Sequence, residues 1–256
     1  MKVYFIGAGP GAADLITLRG AQILARSAIV LYAGSLVSKE MLMHCRTDAK
    51  MVNTAHLSLE EQEAYYVDAQ KKGVDVARLH SGDPSIYGAV AEQIARLKRL
   101  EIEYEIVPGV SSFAAAAAVL GVELTKPEVA QTIIIPRTGG RASPMPDKES
   151  LERLGSHGST ICVFLSGALL SQVVADLLLN YRADTPVALV HKASWPQEKK
   201  YRGRLGDLLN EIDPSEWDLS TMMIVGEALK QGDGVESRLY AADFSHRFRK
   251  ARSSKS

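Results

Sequence analysis

Four times in the first half of the chain an apolar, strand-like run ends in a short glycine-bearing loop: Gly7-Ala8-Gly9-Pro10-Gly11, Ala33-Gly34-Ser35, Ser81-Gly82-Asp83-Pro84 and Pro108-Gly109-Val110-Ser111-Ser112. Helical periodicities separate the runs. Strands that alternate with helices pair in parallel through right-handed crossovers, which makes the chain an α/β protein with a parallel sheet at its amino-terminal end. In such a sheet ligands settle beyond the carboxyl ends of the strands, where glycine lets backbone groups approach a bound molecule closely. The four loops therefore predict one shared ligand cleft.

The intervening elements are marked by their residues. Lys2-Val3-Tyr4-Phe5-Ile6 reads as a buried strand, and Leu18, Ala21, Leu24 and Ala25 recur at helical spacing behind Thr17 as a cap. Ser58 followed by Glu61 forms a capping box, Tyr66 and Ala69 share a face, and Gly73 stands where a left-handed terminator belongs. Val76-Ala77-Arg78-Leu79 and Glu105-Ile106-Val107 are the next strands, separated by a helix with Val90, Ile94 and Leu97 on one face. An alanine-rich helix from Phe113 to Val119 comes next. At 121–127 the pattern pauses, and new strands come at Thr132–Ile135, Ile161–Leu165, Val187–Val190 and Met222–Val225, with a helix over Leu169–Leu179. We read domains at 1–120 and 128–247, a linker at 121–127, and a disordered tail at 248–256.

Gly7, Gly9 and Ala12 also satisfy the fingerprint of a dinucleotide-binding turn. Two details oppose that reading. Pro10 removes a backbone donor that a pyrophosphate needs, and the strand Ile29–Tyr32 ends in Ala33 and Gly34 with no carboxylate placed for a ribose hydroxyl. A nicotinamide cofactor is not expected.

Thirty basic and thirty acidic residues cancel, so bulk charge offers no attraction to nucleic acid or to an anionic membrane. No apolar stretch reaches the length of a bilayer span, and the amino terminus runs straight into a strand, which points to a cytoplasmic protein. Cys45 and Cys162 have no paired spacing, and Cys162 sits in an apolar strand as core packing. His44, His56, His80, His157 and His246 show no ligand spacing, so no metal is expected.

Residues 3–11, 80–88, 107–113 and 193–198 carry a resemblance. Val3-Tyr4-Phe5-Ile6-Gly7-Ala8-Gly9-Pro10-Gly11, His80-Ser81-Gly82-Asp83-Pro84-Ser85-Ile86-Tyr87-Gly88, Val107-Pro108-Gly109-Val110-Ser111-Ser112-Phe113 and Ala193-Ser194-Trp195-Pro196-Gln197-Glu198 stand in the order and spacing of the tetrapyrrole methylases. The chain resembles that family over nearly all its length. Ser85-Ile86-Tyr87 and the loop Pro136–Arg141 resemble its branch acting on carbon 11 of a corrin precursor more than its uroporphyrinogen methylases. The resemblance implies two α/β domains, the second with a mixed sheet, a ligand cleft between them, and a homodimer.

It further implies S-adenosylmethionine as methyl donor, held against Pro10, Ser81, Gly82, Asp83, Ile86, Ser111, Ser112, Leu165, Ala193 and Met222, with S-adenosylhomocysteine as product. The acceptor is a tetrapyrrole bearing many carboxylates, for which Arg137, Arg141 and Lys192 are the candidate cations. Methyl transfer from a sulfonium needs alignment rather than a covalent intermediate, so no catalytic acid or base is required. Tyr87 is the one candidate whose phenol could serve. Asp83 before Pro84 also reads as a helix cap, as do Ser111 and Ser112. An oxidoreductase and a non-catalytic binding module stay open beside the methyltransferase.

Overall fold

The computed structural model describes residues 1–139, 145–164, 167–230, 232 and 241–251. By its contacts the chain forms two compact units, one of Met1–Val119 with Lys192–Lys199 and the other of Leu120–His191 with Lys200–Ser256. The segment Lys192–Lys199 thus belongs with the first unit, although its position in the sequence placed it in the second domain.

The first unit runs β1 (Lys2–Gly7), α1 (Leu18–Leu24), β2 (Ile29–Tyr32), β3 (Lys50–Asn53), α2 (Leu59–Lys72), β4 (Val76–His80), α3 (Val90–Arg99), β5 (Glu103–Val107) and α4 (Ser112–Leu120). Its five strands lie in the order β3-β2-β4-β1-β5, and every pair is parallel. The alternation of side chains along β1 sends Tyr4 and Ile6 into a core with Ile23 and Leu24 of α1. Val3 and Phe5 enter a second core with Tyr66 and Ala69 of α2 and Leu97 of α3. Both faces of the sheet are therefore covered, which is why its central strands read as unbroken apolar runs.

Helix α2 forms as its residues dictate. Ser58 and Glu61 exchange capping hydrogen bonds, and Gly73 closes the helix at φ 64°. In α1, Thr17 caps Gly20, but the buried residues are Gly20, Ile23 and Leu24, while Leu18 is exposed, so the apolar face lies one step round from the expected one. Strand β3 has no apolar run to announce it. It pairs only with β2, at the sheet edge, and its residues are mostly exposed.

The second unit contains β6 (Ile133–Ile134), α5 (Leu151–Gly155), β7 (Thr160–Val163), α6 (Leu170–Leu178), β8 (Pro186–His191), β9 (Lys199–Arg204), α7 (Leu208–Glu211) and β10 (Thr221–Val225). Its sheet has the order β6-β7-β10-β8-β9 and is mixed, with β10 antiparallel to both β7 and β8 and β6 parallel to β7. Ile161, Val163, Leu189 and Met223 pack with Val173, Val174 and Leu177 of α6 in one core. Cys162 is fully buried, and burial pushes its thiol up to about 12. The basic run from Lys199 to Arg204 is an edge strand with every second residue exposed; charges on an edge keep it from pairing with another chain. Residues 248–251, expected to be disordered, adjoin a turn in which His246 and Arg249 exchange backbone hydrogen bonds of 2.8 and 3.0 Å. Residues 252–256 lie outside the described ones.

Candidate functional site

Strands β4, β1 and β5 are neighbours, so their three glycine loops emerge side by side. They are knit together. The Ala8 amide donates to the His80 carbonyl at 2.7 Å, and Gly9 and Gly82 exchange backbone hydrogen bonds of 3.2 and 2.8 Å. A Cβ on Gly7 would stand 2.5 Å from the Gly109 Cα, and one on Gly109 would stand 2.7 Å from the Gly7 Cα. The glycines thus let the loops approach one another, a use the sequence had not separated from approach to a ligand. The second loop, after β2, is tied instead to Asn53, whose Oδ1 accepts from the Gly34 amide at 3.1 Å.

Asp83 fastens the third loop to the fourth. Its Oδ2 accepts from the Gly109 amide at 2.8 Å, and its Oδ1 accepts from the amide and hydroxyl of Ser85. No helix starts at Pro84: the residues after it form a turn, and α3 begins only at Val90. The aspartate is therefore a brace between loops and not a helix cap. Partial burial raises its pKa, but the hydrogen bonds from Ser85 and Gly109 outweigh that and hold the carboxyl below its usual range.

Residues 192–199 cover the first loop. The Trp195 indole donates to the Pro10 carbonyl at 2.8 Å, Ser194 Oγ accepts from the Ala12 amide at 3.0 Å, and a Cβ on Gly11 would stand 2.0 Å from the indole Cδ1. The loop leads into a short 3-10 turn at Ala13–Leu15, and α1 starts only at Leu18. A dinucleotide turn presents a helix N-terminus to its pyrophosphate, and here the side chains of Ser194 and Trp195 lie against the loop instead. Ser194 and Trp195 stood in the sequence motif without a role, and no local pattern links them to Pro10.

Ser81 and Ile86 are half-buried and Gly82 is buried. Gly82 has φ 62°, and a Cβ there would lie 3.6 Å from the Ser111 Cα, so these two residues sit side by side. Ser111 is buried, and its carbonyl accepts from Ala114 and Ala115, so it caps α4 through its backbone; Ser112 opens that helix half-buried. Tyr87 is exposed with φ 54° and Ala89 has φ 49°. Lys192 and Ser194 are also left-handed, at φ 49° and 68°, with Ala193 buried between them. Non-glycine residues in this region are costly, and four of the six among the described residues lie in the two segments that meet the glycine loops, the others being Glu101 and Glu128.

In the second unit Met222 is buried on β10, on the face opposite to Met223 and its core. Arg137 is half-buried, bridges to Phe164 and donates to the Thr138 carbonyl at 3.1 Å. Leu165 and Arg141 lie outside the described residues.

The loops of the first unit offer backbone groups, serine hydroxyls and small apolar surfaces. That set suits a ligand bound without charge pairing. His80 stands behind them at the end of β4, where burial first, and the nearby Arg78 charge second, hold its pKa down to about 3. Both effects favour its neutral form, and it is buried. Among the described residues no three His, Cys, Asp or Glu side chains converge as metal ligands, and no helix is long and apolar enough to cross a membrane.

Residues 2–209 match the family model of the Tetrapyrrole (Corrin/Porphyrin) Methylases. A precorrin-4 C(11)-methyltransferase of Sinorhizobium sp is 51% identical over 249 residues, 97% of this chain and 98% of its own. The X-ray structure of a cobalt precorrin-4 methyltransferase superposes with a TM-score of 0.86 at 42% identity, covering 90% of this chain and 96% of that one. A uroporphyrin-III C-methyl transferase from Thermus thermophilus, complexed with S-adenyl homocysteine, has a TM-score of 0.76 at 26% identity, covering 90% and 94%.

Proposed function

The chain belongs to the tetrapyrrole (corrin/porphyrin) methylases, and we propose that it transfers a methyl group from S-adenosylmethionine to carbon 11 of precorrin-4, or of its cobalt complex. The products are precorrin-5 and S-adenosylhomocysteine, on the route to cobalamin. The observation that carries this reading is the 51% identity, along nearly the whole of both chains, to a relative bearing that name.

When bound, S-adenosylmethionine supplies an electrophilic methyl carbon on a sulfonium. The residues proposed to hold it are Pro10, Ser81, Gly82, Asp83, Ile86, Ser111, Ser112 and Ala193 of the first unit, with Leu165 and Met222 of the second. The side-by-side placement of Gly82 and Ser111 supports a fit, because it leaves backbone and hydroxyl groups together with no bulky side chain at Gly82. Displacement at a methyl carbon needs collinear partners, and loops braced on one another supply that alignment better than a mobile side chain would. The acceptor carbon is enamine-like, so the chain need not provide a base; Tyr87, exposed beside these residues, stays a candidate contact. Arg137, Arg141 and Lys192 are assigned to the carboxylates of the tetrapyrrole. We take the protein to act in the cytoplasm as a homodimer, without metal, nucleic acid or membrane, and a single-chain mass by light scattering at micromolar concentration would overturn the dimer.

S-adenosylhomocysteine should raise the melting temperature by several degrees, since at about a hundred times Kd a ligand selective for the folded state stabilises by about 2.7 kcal/mol. NAD should not. With methyl-labelled S-adenosylmethionine, label should pass to precorrin-4 and not to uroporphyrinogen III. Absence of binding at millimolar S-adenosylhomocysteine would sink the reading, and transfer to another acceptor alone would correct the substrate.

A further inference from the structure

Arg78 lies in β4, between β2 and β1, and is 6% exposed. A guanidinium buried there calls for a carboxylate, and among the described residues none pairs with it. Its hydrogen bonds go to neutral groups, the Tyr66 side chain among them. Nε donates to Gln93 Oε1 at 3.2 Å and Nη1 to the Leu79 carbonyl at 3.1 Å. The Tyr66 hydroxyl donates to the same Gln93 oxygen at 3.1 Å. Gln93, 2% exposed, then donates through Nε2 to the Ala89 carbonyl at 3.1 Å. Beside this chain of bonds, His80 is hydrogen-bonded to the Gly88 backbone.

Two of these contacts reach the turn formed by Tyr87, Gly88 and Ala89, the Gln93 amide at Ala89 and His80 at Gly88, and two of the turn's residues hold left-handed backbone without being glycine. The loop of Ser81–Ile86 leads directly into that turn. We propose that Arg78 and Gln93 are positioning residues: through the Gln93 amide they fix the left-handed turn Tyr87–Ala89 and so set the loop 81–88 in its ligand-binding form. This inference rests on the reading of that loop as a cofactor loop.

The chemistry of the amide is the reason to single out Gln93. Its oxygen takes two donors, Arg78 and Tyr66, and its nitrogen supplies one to Ala89. A glutamate would pair better with the buried Arg78 but has no hydrogen to give the Ala89 carbonyl and would repel it. The arrangement thus forgoes an ion pair in favour of a donor aimed at the turn, a choice that serves geometry at the expense of stability.

The two effects separate in Gln93→Glu. Its melting temperature should equal or exceed that of the unaltered chain, because Arg78 gains its missing counter-charge. Amide exchange at Tyr87, Gly88 and Ala89 should nevertheless quicken, and S-adenosylhomocysteine affinity should fall about tenfold. Gln93→Leu should lose melting temperature and affinity together, since it removes the buried oxygen that Arg78 Nε and the Tyr66 hydroxyl share and the donor to Ala89. Wild-type exchange and affinity in Gln93→Glu would overturn the proposal, as would a fall in melting temperature equal to that of Gln93→Leu. If the unaltered chain binds no S-adenosylhomocysteine, the reading of the loop fails, while the exchange rates still decide whether Gln93 holds the turn.

Discussion

Gly109→Ala should destabilise the protein by about 3 kcal/mol or more and abolish measurable S-adenosylhomocysteine binding. The new methyl would stand 2.7 Å from the Gly7 Cα and closer still to the Gly82 carbonyl oxygen. The three nearest atoms it meets are all backbone, with no side chain there to rotate away, so the loops after β1, β4 and β5 must part. Parting them also breaks the bond from the Gly109 amide to Asp83. Gly73→Ala gives the contrast. Gly73 has φ 64° but a Cβ there meets nothing within 4 Å, so the cost is that of a left-handed alanine alone, about 1 kcal/mol. Urea unfolding of both variants measures the difference, and equal losses would show that the close approach of the loops contributes nothing.

Replacing Arg137 and Arg141 together by Ala should lower kcat/KM for precorrin-4 about a hundredfold while S-adenosylhomocysteine affinity stays within about twofold. Each arginine can give a charge-assisted, forked pair of bonds to a carboxylate, about 1.5–3 kcal/mol apiece when partly desolvated. Arg137 is half-buried, its backbone is held at the bridge to Phe164, and its guanidinium already donates to the Thr138 carbonyl, so its place is fixed before substrate arrives. The loss should appear in KM where the arginines only hold the substrate, and in kcat as well where they orient it. Unchanged kcat/KM would return the loop to ordinary surface and send the search for cations to Lys126, Lys192 and the strand Lys199–Arg204. A fall in S-adenosylhomocysteine affinity would instead put the loop against the cofactor.

The sequence was most legible where one residue type does one job. The capping box at Ser58 and Glu61, the glycine at 73 and the apolar runs of β1, β2 and β4 formed the elements their chemistry called for. It was least legible at the sheet edges. Lys50–Asn53 and Lys199–Arg204 are strands because a neighbour pairs with them, and their exposed faces remove the apolar signal. Asp83 shows a second limit. Asp-Pro favours a cap, but the Gly109 amide, 26 residues on, supplies a tertiary partner that no local pattern encodes. Arg78 carried a signal that could have been used: a charge in the middle of a strand buried on both faces demands partners, and counting apolar residues passes over it.

The first unit is made of two stretches, and the second of these, Lys192–Lys199, leaves the ribosome only after the whole of Leu120–His191. Until then the Pro10 carbonyl has no indole to accept from, the Ala12 amide has no serine to donate to, and Gly11 faces an empty hollow. A nascent chain can assemble the five strands β1 through β5 early, since all of them are made before Leu120. It cannot finish its own amino-terminal loop. A fragment ending at Val119 would carry the whole parallel sheet and still lack the cover of its first glycine turn, so the enzyme cannot be divided at the obvious boundary without taking part of one half away with the other.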